Sequence, residues 1–206
     1  PPYVPSQGPF DPQNSLNEQD MADLRSWGVN FVRLGVMWEA VETSEGVYNT
    51  TYLNELNDLI YKLGEYGIYT MLDAHQDASS RLTCGEGFPT FQTSKVNSTC
   101  ADWSDPAFDD IKKVDTDCMS IDDYDHVADS QGWPEISECL HVPFFKYYTT
   151  IEAMAVFEQL YHETDTKAHL QTSFINFWKA VAPVFKNNTW VIGFDPVNEP
   201  ALGANF

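Results

Sequence analysis

Trp190 to Pro200 reads WVIGFDPVNEP. The apolar, partly β-branched run to Val197 predicts a short buried strand. It closes on Asn198-Glu199-Pro200: an amide, a carboxylic acid and a residue that stiffens the turn. Just upstream, Leu170, Phe174, Trp178, Val181 and Phe185 recur at helical spacing, and Pro183 is expected to bend or end that helix. Helix followed by strand occurs twice more, earlier in the chain. Ser15-Leu16-Asn17-Glu18 reads as a capping box, Met21, Leu24 and Trp27 as one helical face, and Gly28 as the C-terminal cap, before the strand Asn30 to Val36. Leu53, Leu56, Ile60 and Leu63 predict a second helix ending near Gly64 or Gly67, before the strand Ile68 to Leu72.

Alternating helices and buried strands imply a parallel sheet covered by helices. A doubly wound sheet and a β/α barrel both satisfy this pattern. No Gly-rich phosphate turn follows any strand, which argues against a dinucleotide fold. All three strands run directly into polar residues: Trp38-Glu39, then Asp73-Ala74-His75-Gln76-Asp77, then Asn198-Glu199-Pro200. In a barrel that end of every strand faces the active site, so a (β/α)8 TIM barrel is the expected fold. Between the second strand and the third helix lies a long excursion, roughly 74–149, rich in Asp, Ser and Pro and holding all four cysteines. Excursions of that size usually carry function.

The composition narrows the function. With 43% apolar residues the 206-residue chain can bury a core, as one domain or part of a larger one. Eleven basic against thirty-one acidic residues give a net charge of −20, a field that repels phosphate backbones, so nucleic acid is not an expected partner. No apolar run approaches the ~20 residues needed to cross a bilayer. The opening Pro1-Pro2-Tyr3 has no basic-then-apolar leader, so any signal peptide is expected to be already removed or outside this sequence.

Three N-glycosylation acceptors, at Asn49, Asn97 and Asn187, and an even set of cysteines point to a secreted, extracellular or lysosomal/vacuolar protein. Cys84, Cys100, Cys118 and Cys139 allow three pairings. Short loops close at least entropic cost, which favours Cys84–Cys100 with Cys118–Cys139. Zinc is the weaker alternative, because no CxxC spacing occurs.

Glu199 at a barrel strand end, preceded by Asn198, suits a general acid with a sugar-positioning neighbour. Trp38 is read as a ring that stacks on a sugar face, against the alternative that it packs in the core. Asp73, His75 and Asp77 share one face by their period-two spacing, but three groups on one strand end rarely hold a metal without partners from other strands, so no metal and no cofactor are expected. Asp73 is read as a brace for its neighbours, Met119 and Met154 as ordinary packing, and Asp109-Asp110 and Asp122-Asp123 as a solvated acidic loop.

The segments FVRLGVMWEAVE (31–42), GIYTMLDAHQD (67–77), CGEGFP (84–89) and VIGFDPVNEP (191–200) resemble glycoside hydrolase family 5, and within it the endoglycoceramidases. Pro1 to Pro5 is similar to the stretch just after that family's first barrel strand, and the similarity thins between Gln92 and Pro143. The resemblance implies that residues 1–206 are a partial catalytic barrel domain, with strands matching the second to fourth of eight. It implies that Glu199 is the acid/base, that Asn198 bonds the sugar 2-hydroxyl, and that His75 and Asp77 line the sugar subsite beside the cleaved bond. Arg33 matches the arginine that keeps the nucleophile ionised, although a purely structural ion pair is an equal alternative. The nucleophile itself would lie on a later strand. The rest of the barrel is therefore expected as further sequence or another chain, since half a barrel leaves open edges and a half-covered core.

The function expected is hydrolysis of the β-linkage between oligosaccharide and ceramide by retaining double displacement. Other family 5 activities are the first alternative: β-glucanase, glucosylceramide hydrolase or steryl-glucoside hydrolase. An inactive, barrel-derived structural or glycan-binding component of an extracellular assembly is the second. The partners expected are a glycan or glycolipid, with contact to a membrane surface or an assembly.

Overall fold

A computed structural model describes residues 16–100, 118–164 and 168–203. Ser15, Asp109, Asp110 and Pro1 to Pro5, singled out above, lie outside these ranges. The first helix, α1 (Glu18–Ser26), starts from Asn17 rather than Ser15. The Asn17 side chain accepts from the backbone N–H groups of Gln19 and Asp20, and the Asp20 carboxylate accepts from the Asn17 N–H at 2.9 Å. Asparagine caps as well as serine, so a capping box two residues later competes with the predicted one. Gly28 ends the helix at φ +85°, the left-handed conformation a side chain disfavours. Met21 is buried, but Trp27 is 74% exposed and does not share its face.

Strands β1 (Phe31–Gly35), β4 (Tyr69–Asp73) and β5 (Val191–Asp195) form a parallel sheet in the order β1-β4-β5. The register sets Gly35 beside Asp73 and Asp73 beside Asp195, so the three C-terminal ends lie level. Between β1 and β4 come the short helix α2 (Trp38–Val41), an antiparallel pair β2 (Glu42–Ser44) and β3 (Val47–Tyr48), and helix α3 (Thr50–Glu65). Among its described residues the excursion carries α4 (Thr90–Thr93), α5 (Ile136–Cys139) and the 3-10 segments Arg81–Thr83, Ile121–Tyr124 and Phe144–Thr149. Helices α6 (Ile151–Tyr161) and α7 (Leu170–Phe185) then lead into β5.

Most of the predicted stripes enter the core. Leu53 and Ile60 of α3 and Leu170, Val181 and Phe185 of α7 are buried in one cluster with the sheet residue Leu72, while Leu56, Phe174 and Trp178 pack against it partly buried. Leu63 is buried with Met21 and Ile68 instead, and Phe177, outside the predicted spacing, is fully buried in the main cluster. Each such side chain contributes about 1.5–3 kcal/mol relative to exposure. Pro183 sits in the last turn of α7, two residues before it ends. Gly64 permits close helix–strand packing, because a Cβ there would stand 2.3 Å from the Trp190 ring. Helix α6 has no clear stripe in the sequence: Ile151, Ala153, Met154, Val156, Phe157 and Leu160 are buried nearly all round it. The opposite face of the sheet is open, with Phe31 42% and Tyr69 43% exposed. A closed barrel covers that face with its remaining strands.

The cysteines pair as Cys84–Cys139 and Cys100–Cys118, not as the shortest loops suggested. Cys84 and Cys139 join Ala78 and Tyr147 in a small separate core. Tertiary packing brings Cys84 to Cys139, 55 residues away, and overrides the local preference for short closure.

Candidate active site

The site is assembled where the three strand ends meet. Asp73, the last residue of β4, is 1% exposed, and its Oδ2 accepts from Arg33 Nε at 2.8 Å. The same oxygen lies 2.8 Å from the Arg33 terminal nitrogen and 2.9 Å from His75 Nδ1. Its other oxygen is buried with no hydrogen-bond partner among the described residues. Arg33 also donates to Asn198 Oδ1 and lies 3.9 Å from Asp195. One guanidinium thus ties β1 to the ends of β4 and β5.

Two backbone straps hold the turn after β5. Asn198 donates its side-chain N–H to the Gln76 carbonyl at 2.9 Å and its backbone N–H to Ala74 O at 3.1 Å. In return, the buried Gln76 amide donates to the carbonyls of Asn198 and Glu199 at 2.7 and 3.3 Å. Gln76 received no role from the sequence, and only its place between His75 and Asp77 hinted at one. The straps hold Glu199 at φ +37°, a conformation that costs a non-glycine residue of order 1–3 kcal/mol. Glu199 is exposed.

Beyond His75 the chain doubles back on itself. Asp77 and Glu86 exchange backbone hydrogen bonds at 3.0 and 2.8 Å. The CGEGFP glycines make this approach achievable: a Cβ on Gly85 would lie 2.0 Å from Asp77 O, and one on Gly87 2.3 Å from His75 O. Asp77 Oδ2 lies 3.3 Å from His75 Nε2, and Asp77 Oδ1 accepts from Tyr148 at 2.6 Å. His75, Asp77 and Glu86 bring ligand-type atoms within 4.8 Å of one another, a geometry a cation could use. Within this group Asp77 also accepts from Tyr148 and lies against the His75 ring.

Glu39, noted above only as a strand-end residue, clasps the same loop. Its Oε1 accepts from Gly87 N–H at 3.0 Å, and its own N–H donates to Gly87 O at 2.9 Å. Burial, reinforced by the Glu86 charge, raises its pKa to about 7 against the lowering effects of Gly87 and Arg81. No sequence pattern signals this shift, because it arises from burial that only the folded chain creates.

Trp38 is corrected. Its ring is 1% exposed, packed against Phe88, Phe174 and Phe177, with its N–H donated to the buried Glu42 at 2.6 Å. It is a core residue and cannot stack on a sugar. Arg33, His75 and Asn198 are joined by hydrogen bonds, Asp77 lies 3.3 Å from His75, and Glu199 directly follows Asn198.

A parallel sheet covered by helices on one face, with its polar side chains gathered at the strands' C-terminal ends, is the arrangement of part of a TIM barrel. The family description "Cellulase (glycosyl hydrolase family 5)" matches residues 7–205, and the chain belongs to that family. It is 34% identical over 202 residues to an endoglycoceramidase of Cyanea nozakii, covering 98% of this chain and 36% of the relative. It is 31% identical over 205 residues to one of Hydra vulgaris, covering 100% and 36%. Among solved structures, endo-glycoceramidase II from Rhodococcus sp. superposes with a TM-score of 0.65 at 26% identity, over 91% of this chain and 35% of that one. The same enzyme as its lactosyl-enzyme intermediate gives 0.65 at 25% identity, over 91% and 36%. The chain therefore spans about 36% of the length of these curated relatives.

Proposed function

We propose that the protein carrying this chain is a retaining glycosidase of endoglycoceramidase type, which releases an oligosaccharide from a ceramide. The observation that carries the reading is the exposed Glu199, held in a strained turn beside the Arg33–Asp73–His75–Asn198 network. In the first step, a second carboxylate from a strand outside this chain attacks the anomeric carbon. The bond from that carbon to the ceramide oxygen breaks, and the Glu199 carboxyl passes its proton to the departing oxygen. In the second step, Glu199 as carboxylate takes a proton from water, whose oxygen displaces the enzyme carboxylate from the sugar. Asn198, oriented by Gln76 and Arg33, keeps a second amide N–H for a sugar hydroxyl. The lactosyl-enzyme intermediate of the Rhodococcus relative supports the covalent route, since double displacement passes through such a species.

Hydrolysis of glucosylceramide is a second reading. It is favoured by 42% identity over 73 residues to a glucosylceramidase of Cryptococcus neoformans, which covers 35% of this chain and 10% of that relative. Secretion or residence in a lysosome or vacuole is supported by the two disulfides and by the exposure of Asn97 and Asn187. Asn49 is half-buried and caps α3 by accepting from Tyr52 N–H at 3.0 Å.

Replacing Glu199 in the full-length protein tests the role. Glu199→Gln is expected to lose roughly 10²–10⁴-fold in turnover on a glycolipid. Much of the first step should survive on a substrate whose leaving group needs no proton, read as a burst of that group. Full glycolipid turnover by Glu199→Gln rejects the acid/base assignment, whereas no turnover by the unaltered protein favours the inactive structural alternative.

A further inference from the structure

We propose that Tyr148, supplied by the disulfide-bearing excursion, is a positioning residue of the sugar subsite: its hydroxyl fixes Asp77 in the orientation from which Asp77 faces His75. The proposal deepens the glycosidase reading and rests on it.

Three observations place Tyr148 there. First, its hydroxyl donates to Asp77 Oδ1 at 2.6 Å while Asp77 Oδ2 lies 3.3 Å from His75 Nε2. One carboxylate is therefore held from both sides, with its rotation blocked. Second, the direction of the hydroxyl proton is decided by its surroundings. The Ala78 backbone N–H bonds to the Tyr148 oxygen, which leaves the O–H free to point only at the carboxylate. Burial, with the Asp77 hydrogen bond and charge next in importance and a smaller contribution from the Glu199 charge, holds the phenol well above its ordinary range, so it remains a donor.

Third, the ring is carried by an anchored element. In the 3-10 segment Phe144–Thr149, side chains follow one another about 120° apart. Tyr147 is fully buried in the small core with Ala78, Cys84 and Cys139, and its hydroxyl donates to Cys139 O at 3.1 Å. With Tyr147 committed inward, Tyr148 turns to Asp77, braced by the edge of Phe144 at 5.9 Å. The Cys84–Cys139 bridge thus holds the base of the arm that ends at the subsite.

The test compares Tyr148→Phe, Asp77→Asn and the double variant in the full-length protein on a glycolipid, with Glu199→Gln as control. Tyr148→Phe is expected to lower kcat/KM about tenfold, mainly through KM, since it releases one charge-assisted hydrogen bond on the sugar side. The loss should be equal for ordinary and activated leaving groups, unlike that of Glu199→Gln. The double variant should be within about twofold of Asp77→Asn alone, because both changes break the same contact. An unchanged kcat/KM for Tyr148→Phe overturns the proposal. So does a fall confined to kcat, as a smaller folded fraction would produce, and so do defects that multiply in the double variant. Absence of glycolipid turnover by the unaltered full-length protein instead removes the glycosidase reading itself, and the positioning role with it.

Discussion

The sheet with its helices and the excursion that follows β4 are built by different means. In the first, α3 and α7 bury regular stripes against β1, β4 and β5, so its stability is spread over many equivalent apolar contacts. In the second, a few specific devices carry the structure: two disulfides, two glycines that let backbones touch, and side chains bonded to particular carbonyls. The scaffold brings the strand ends level, and the excursion supplies the arms that complete the site. A distributed core tolerates sequence change one contact at a time, whereas a stapled loop fails when one staple is removed.

Phe177→Ala attacks the scaffold at its buried centre and is expected to cost about 3–5 kcal/mol, measured by denaturant unfolding of the full-length protein. Removing the Cys84–Cys139 bridge as a double alanine variant is expected to cost about 2–4 kcal/mol. It should also raise KM on glycolipid, whereas Phe177→Ala should leave KM of the folded fraction unchanged. Equal effects on KM would erase the distinction between the two regions.

Glu39 sharpens the comparison at their junction. Its folded pKa of about 7 lies above the ordinary 4.5, so its contribution to stability is fully present below pH 4.5 and is lost as pH rises through 7. Glu39→Gln should therefore stabilise the protein at pH 8 by up to about 3 kcal/mol relative to its effect at pH 4. Melting curves at the two pH values give this difference directly, and a constant offset contradicts it. The smallest effect expected is Asn17→Ala, about 1 kcal/mol from the cap of α1, with no change in KM.

These same differences explain what could be read without coordinates. Leu53, Ile60, Val181 and Phe185 announce their helices by spacing alone, because an α-helix returns a side chain to one face every three or four residues. The glycines at 28 and 67 mark helix ends for an equally local reason, their positive φ. Asn198-Glu199-Pro200 and Asp73 to Asp77 stand out because polar residues directly after a buried strand must lie at its mouth. Other features depend on distance through space. The partner of Cys84, the enclosure of Trp38, the near-neutral pKa of Glu39 and the hold of Tyr148 on Asp77 each join residues that periodicity cannot relate. The amino-acid order determined α1, α3 and α7, the three sheet strands and the acids at their ends, because those follow from backbone repeat and side-chain polarity. Only the folded chain decided which acid is buried, which ring is covered and which tyrosine holds Asp77, because desolvation and hydrogen bonding act between neighbours in space.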